Sequence, residues 1–129
     1  MRKTLIAGIA FLLIGFFRLQ AQDLSHTNWK TYFGDPVNDT IVFHILKDTS
    51  YVTSKSGDTL LISRCHIFGD TLVLSDIGGM YQCPQYDGTY TFSVQGNNVH
   101  FGLVSDGCEG RQVMKDLVWV RVEDSDKKK

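Results

Sequence analysis

The chain has 129 residues, with 13 Lys and Arg against 14 Asp and Glu and a formal net charge of -1. That length holds one domain, and so balanced a charge supplies no basic field of the kind nucleic acid requires. With 43% hydrophobic residues, 12% aromatic residues and only 2 prolines, the composition can build a packed core, and it excludes disordered, proline-rich and collagen-like chains.

The N-terminus reads as a secretory signal peptide over residues 1–21. A basic head, Met1-Arg2-Lys3, precedes an apolar run from Thr4 to Phe17 that is shorter than the roughly 20 residues of a membrane span. Ala21 suits the position before the cut, with Gln22 as the alternative. No cysteine directly follows the run, so a lipid-anchored form is not indicated. The expected product is a secreted or periplasmic protein with no membrane span in its mature part. Removal of Arg2, Lys3 and Arg18 leaves that part mildly acidic.

The domain is expected over residues 22–124. Eight short apolar and β-branched runs follow one another there: Trp29 to Phe33, Thr40 to Leu46, Tyr51 to Ser54, Thr59 to Cys65, Thr71 to Ser75, Thr89 to Val94, Val99 to Val104 and Leu117 to Val122. None keeps helical spacing for three turns, and such regular short runs mark barrels and sandwiches. Gly57-Asp58 and Gly69-Asp70 each precede Thr-Leu, and Gly96-Asn97 precedes another run. Gly, Asp and Asn tolerate the positive φ of tight hairpins. The predicted fold is an all-β, antiparallel, eight-stranded up-and-down barrel, with a sandwich as the alternative. Residues 125–129 form a charged tail beyond it.

Three cysteines follow the signal segment, enough for one bridge and one thiol. Cys83 lies in a turn-like stretch before Pro84, Cys108 lies between Gly107 and Gly110, and Cys65 ends a strand. The predicted pair is Cys83–Cys108, adding roughly 3 to 4 kcal/mol in the chain-entropy model. Cys65 is expected to stay reduced and buried, facing away from His66.

The ordered series Tyr86-Asp87-Gly88-Thr89-Tyr90, Gly96-Asn97-Asn98, Asp106-Gly107-Cys108-Glu109-Gly110-Arg111 and Trp119-Val120-Arg121 resembles the C-terminal half of small secreted bacterial lipocalin-like (calycin-type) proteins. It covers residues 86–122. The resemblance implies that Trp29 of the first strand packs under Arg121 from the last, closing the barrel's base through a cation–π contact. It also implies action through the barrel lumen. Short strands imply a small lumen.

Chemistry-bearing motifs are few. Four histidines, His26, His44, His66 and His100, show no metal-ligand spacing. His100 alone recommends itself as an axial haem ligand, and nothing else supports a porphyrin. The aspartates expected in loops, Asp76 among them, show no calcium-loop pattern, and Gly-Asp and Asp-Gly pairs are turn formers first. No nucleophile elbow or phosphate loop occurs. Arg111 is expected to pair with a carboxylate and order the Asp106–Arg111 turn. No enzyme, cofactor or metal is therefore expected. The expected function is binding of a small hydrophobic ligand in the lumen by Phe43, Tyr90, Phe92, Phe101 and Trp119, with Tyr90 or His100 as polar anchor. The alternative is a filled barrel acting as an extracytoplasmic interaction or inhibitor module. The identities of a ligand and of a protein partner are not legible in the residues.

Overall fold

A computed structural model describes residues 23–123. The signal segment 1–21, the domain's two outermost positions and the 125–129 tail lie outside the described residues. Eight strands occur in order: β1 Thr27–Phe33, β2 Asp39–Ile45, β3 Thr49–Ser54, β4 Thr59–Phe68, β5 Thr71–Gly78, β6 Asp87–Gln95, β7 Asn98–Asp106 and β8 Trp119–Arg121. Each pairs antiparallel with the next, and β8 returns to pair with β1. The sheet is thus a closed up-and-down barrel, the fold that the alternating runs predict, and the sandwich alternative falls.

The strands follow from period-two burial, because successive side chains of a strand face opposite sides. Ile41, Phe43 and Ile45 of β2 turn inward, as do Leu72, Leu74 and Asp76 of β5. Two hairpins are tight: Gly69 and Gly96 adopt φ of 57° and 59° in the two-residue connections 69–70 and 96–97. The other Gly-Asp pair, Gly57-Asp58, lies in the longer connection 55–58, so the repeated tetrapeptide serves two different turns.

The last strand departs from expectation. A run from Leu117 to Val122 shrinks to three residues, because a short helix, α1 Glu109–Gln112, and a 3-10 turn, Val113–Asp116, occupy the approach to it. Extended backbone resumes only at Leu117.

Two register shifts decide what the interior contains. In β7, simple alternation from Val99 and Phe101 brings Ser105 inward. A bulge leaves Val104 unpaired, so Leu103 faces Tyr90, Ser105 faces Thr89 and Asp106 faces Gly88. The extra residue exchanges the parity of the strand, and Asp106 becomes buried. A second shift leaves Ile77 unpaired beside Asp76, which opposes Ser63.

Connectivity makes the two ends unlike. Connections 46–48, 69–70 and 96–97 are short and gather at one end. There Leu24 and Trp29 are fully buried, and the Arg121 guanidinium carbon lies 4.6 Å from the Trp29 ring centroid. The indole N–H donates to Thr27 Oγ1 at 2.7 Å, and that hydroxyl donates to the Leu24 carbonyl at 2.5 Å. Connections 34–38, 55–58, 79–86 and 107–118 are longer and gather at the opposite end.

Replacing Arg121 with Ala removes a cation packed on a desolvated ring and should lower stability by about 1 to 2 kcal/mol; Trp29→Ala should cost about 3 to 5 kcal/mol. Urea denaturation monitored by circular dichroism reads both, and Arg121→Lys should fall between wild type and Arg121→Ala.

Candidate functional site

The end with short turns is filled by side chains. Phe43, Phe101 and Trp119 form an aromatic triangle with centroids 5.8 to 6.1 Å apart, in the tilted and edge-on geometries that ring quadrupoles favour. The Trp119 N–H is satisfied by the Met114 carbonyl at 3.2 Å. Toward the other end lies a cavity of about 430 Å³. Phe43 and Trp119 belong to its wall, together with Ile41, Val52, Leu60 and Leu74 from the strands. Phe33 borders it from the end of β1, Pro36 and Val37 from the first connection, Tyr81, Cys83 and Tyr86 from the third, and residues 107–111 with Met114 from the last.

The predicted lining residues therefore separate. Phe43 and Trp119 meet the cavity, Phe101 packs against both, and Phe92 and Tyr90 are buried in the core. Tyr90 offers no free hydroxyl, since its O–H donates to Asp106. His100 is exposed on the outer face, so neither expected polar anchor addresses the cavity. Alternation alone could not place these residues along the barrel's axis, and the cavity occupies only one end of it.

The polar part of that wall is built around Arg111, whose pairing the sequence anticipates, with Asp76 and Ser63, which it does not single out. Arg111, 6% exposed, is held from three directions. Its Nε donates to Asp106 Oδ2 at 2.6 Å and one terminal nitrogen donates to Asp106 Oδ1 at 2.8 Å, the bidentate arrangement that matches a planar guanidinium to a carboxylate. The same nitrogen donates to the Tyr86 carbonyl at 2.7 Å. The other terminal nitrogen lies 2.8 Å from Asp76 Oδ1. Asp76 also accepts from the Ser63 hydroxyl at 2.7 Å. The parity of Leu72, Leu74 and Asp76 was the available signal for that inward carboxylate.

The bridge joins this cluster. Cys83 and Cys108 are bonded, with Cα atoms 6.0 Å apart, as the loop positions predict. The Cys83 amide donates to Asp76 Oδ2 at 2.8 Å and the Cys108 amide to Asp106 Oδ1 at 2.9 Å. Each carboxylate that grips Arg111 thus also grips the backbone of one half-cystine. Gln112 adds a bond from its side-chain amide to the Asp106 carbonyl at 2.7 Å. The expected pairing of Arg111 with a carboxylate is present, and it has a second carboxylate beside it.

Electrostatics reflect this packing. Burial pushes the Asp106 carboxyl up, but the bonds from Arg111, Tyr90 and the Cys108 amide outweigh it and hold the group below the usual aspartate range. For Tyr90, burial and the neighbouring Asp106 both push the phenol above its ordinary value. Burial opposes the charge of Arg111, and the two aspartates outweigh it and raise its pKa further. Cys65 is buried and unbridged; burial, then the Asp48 charge, pushes its thiol up to about 11, so little thiolate exists near neutral pH. His66 is exposed on the opposite face. His44 contacts Asn28 Oδ1 at 2.7 Å and Thr53 Oγ1 at 2.9 Å and stacks on Tyr51. Among the described residues no group of three His, Cys, Asp or Glu side chains is placed to hold a metal, and no helix is long and apolar enough to cross a membrane.

Comparison with protein-family models, curated proteins and solved structures returned no match.

Two outcomes follow from the cluster. A Cβ at Gly88 would stand 2.5 Å from Asp106 Oδ2 and 2.7 Å from Arg111 Nε, so Gly88→Ala should part the pair and cost about 3 to 5 kcal/mol in denaturant unfolding, with the disulfide intact. Asp106 also makes stability depend on pH. Its folded pKa is depressed, so its contribution is complete above the unfolded value of about 3.9 and disappears as pH falls through the folded value. Stability followed by urea midpoint should drop below about pH 4, and Asp106→Asn should be less stable at pH 7 with a shallower acid dependence.

Proposed function

We propose that this is a lipocalin-like, non-enzymatic binding protein that holds a small, largely apolar molecule in the open half of its barrel. One observation carries the reading: the closed barrel keeps a cavity of about 430 Å³ at one end, walled mainly by aliphatic and aromatic side chains. Its volume falls within the range of small-molecule sites. The cavity favours this reading over the alternative of a filled barrel acting through its exterior.

The structural commitments of the polar groups support binding rather than turnover. Asp106 and Tyr90 are engaged with one another, and Asp76 and Arg111 are paired across the wall. A general base needs a carboxylate free to take a proton from a guest, and these two carboxylates are occupied. The Cys83–Cys108 bridge is consistent with an oxidising, extracytoplasmic location. A signal peptide cut near Ala21 and a secreted or periplasmic mature protein complete the proposal. The closed eight-stranded barrel, with Arg121 over Trp29, supports the lipocalin-like assignment.

The test is saturable binding of the neutral fluorophore N-phenyl-1-naphthylamine to the oxidised protein. Affinity should survive high salt, since burial drives it. Val52 lines the cavity from β3; Val52→Trp should fill the space and weaken binding at least about tenfold, some 1.4 kcal/mol, while leaving the far-ultraviolet circular dichroism spectrum unchanged. A fluorophore that binds neither protein, or both equally, defeats the cavity reading.

A further inference from the structure

Resting on that binding reading, we infer that the cavity selects uncharged guests and rejects carboxylates, although an arginine stands in its wall. An arginine beside an apolar cavity invites the opposite conclusion, a fatty-acid-like headgroup paired to the guanidinium. Two observations oppose it. The cation is already compensated in charge: Nε and one terminal nitrogen are bonded to Asp106 and to the Tyr86 carbonyl, and the other terminal nitrogen, which has no hydrogen bond of its own, is ion-paired with Asp76 at 2.8 Å. The guanidinium is also occluded, its side chain 3% exposed against Asp76 at 1% and Asp106 at 0%. A guest carboxylate would have to displace one of these two aspartates, and the displaced group would be left buried without a partner.

Charge balance points the same way. The ionic side chains on the wall are Asp76, Glu109 and Arg111, and Asp106 lies behind Arg111. Two acids and one base line the cavity, and that base is also paired with Asp106, so the local charge is net negative and disfavours an anion. An ammonium guest gains little in return, since Asp76 already accepts from Ser63 and the Cys83 amide and stands beside Arg111, while Glu109 is exposed, where an ion pair is worth little. Either charge pays desolvation without compensation. The class that remains is neutral: an ester, an alcohol, a hydrocarbon or an uncharged aromatic. Tyr81 and Tyr86 add phenol rings at the rim.

The experiment is displacement of bound N-phenyl-1-naphthylamine at pH 8 by three molecules of matched chain length: methyl decanoate, decanoate and decylamine. Methyl decanoate should displace it, and decanoate should need at least tenfold more. Lowering the pH toward 5.5 should restore decanoic acid binding in step with its neutral fraction, by roughly tenfold per pH unit above the acid's own pKa. Decanoate that competes as well as the ester at pH 8 overturns the inference and leaves the cavity reading standing. Decylamine that competes better than the ester overturns it as well. A fluorophore that never binds removes the cavity reading and the inference together.

Discussion

The arrangement turns on one buried cation. Arg111 carries a full charge into the barrel's interior, where an unpaired charge costs several kcal/mol. Two aspartates from different strands, β5 and β7, compensate it. To deliver them, each strand has a register shift beside its carboxylate, with Ile77 and Val104 unpaired in the ladder. The glycine opposite Asp106 follows from the same demand, since any side chain at Gly88 would occupy the space that the carboxylate and guanidinium fill. The half-cystine amides then bond to the same two carboxylates. Ion pair, bulges, glycine and disulfide are one construction, and removing Arg111 or either aspartate leaves its buried partners with an unmet polar group.

That construction also explains why the cavity has a fixed side and a freer one. The connections 79–86 and 107–118 are joined by the bridge and by Arg111. The connections 34–38 and 55–58 carry short-range bonds of their own, such as Asn38 to Asp35 and the Asp58 amide to the Ser54 hydroxyl, and no covalent link. A guest between these sides meets polar rigidity on one flank and apolar Phe33, Pro36 and Val37 on the other.

How much of this the sequence carried depends on the range of the interaction. Strands, hairpins and closure were legible because alternation and turn chemistry are local: Ile41, Phe43 and Ile45 announce their face within five residues, and Gly96-Asn97 announces its turn within two. The bridge was legible by elimination among three cysteines. The polar cluster was only half legible. Arg111 with a carboxylate could be anticipated from the loop, but Asp76 lies far away in the chain and resembled a turn former. The β7 bulge defeated simple alternation, which favours Ser105 over Asp106. Cavity and core could not be separated by parity either: Phe92 and Phe43 share an inward phase, and only axial position distinguishes a core residue from a wall residue.

The brevity of β8 has a consequence for how the molecule comes together. The barrel closes through a few pairs, Trp29 with Arg121 and Lys30 with Val120 on one side, Asn98 with Val120 and Val99 with Trp119 on the other. The pairs to β1 join residues separated by nearly the whole barrel sequence, the least local contacts in the fold and the costliest in loop entropy. A ribosome makes β1 first and β8 last. Until residue 121 has been released, β1 and β7 are both open edges, each able to recruit a strand from another chain. The cation above Trp29 thus also serves as a latch: three late residues end the period in which the nascent sheet is adhesive.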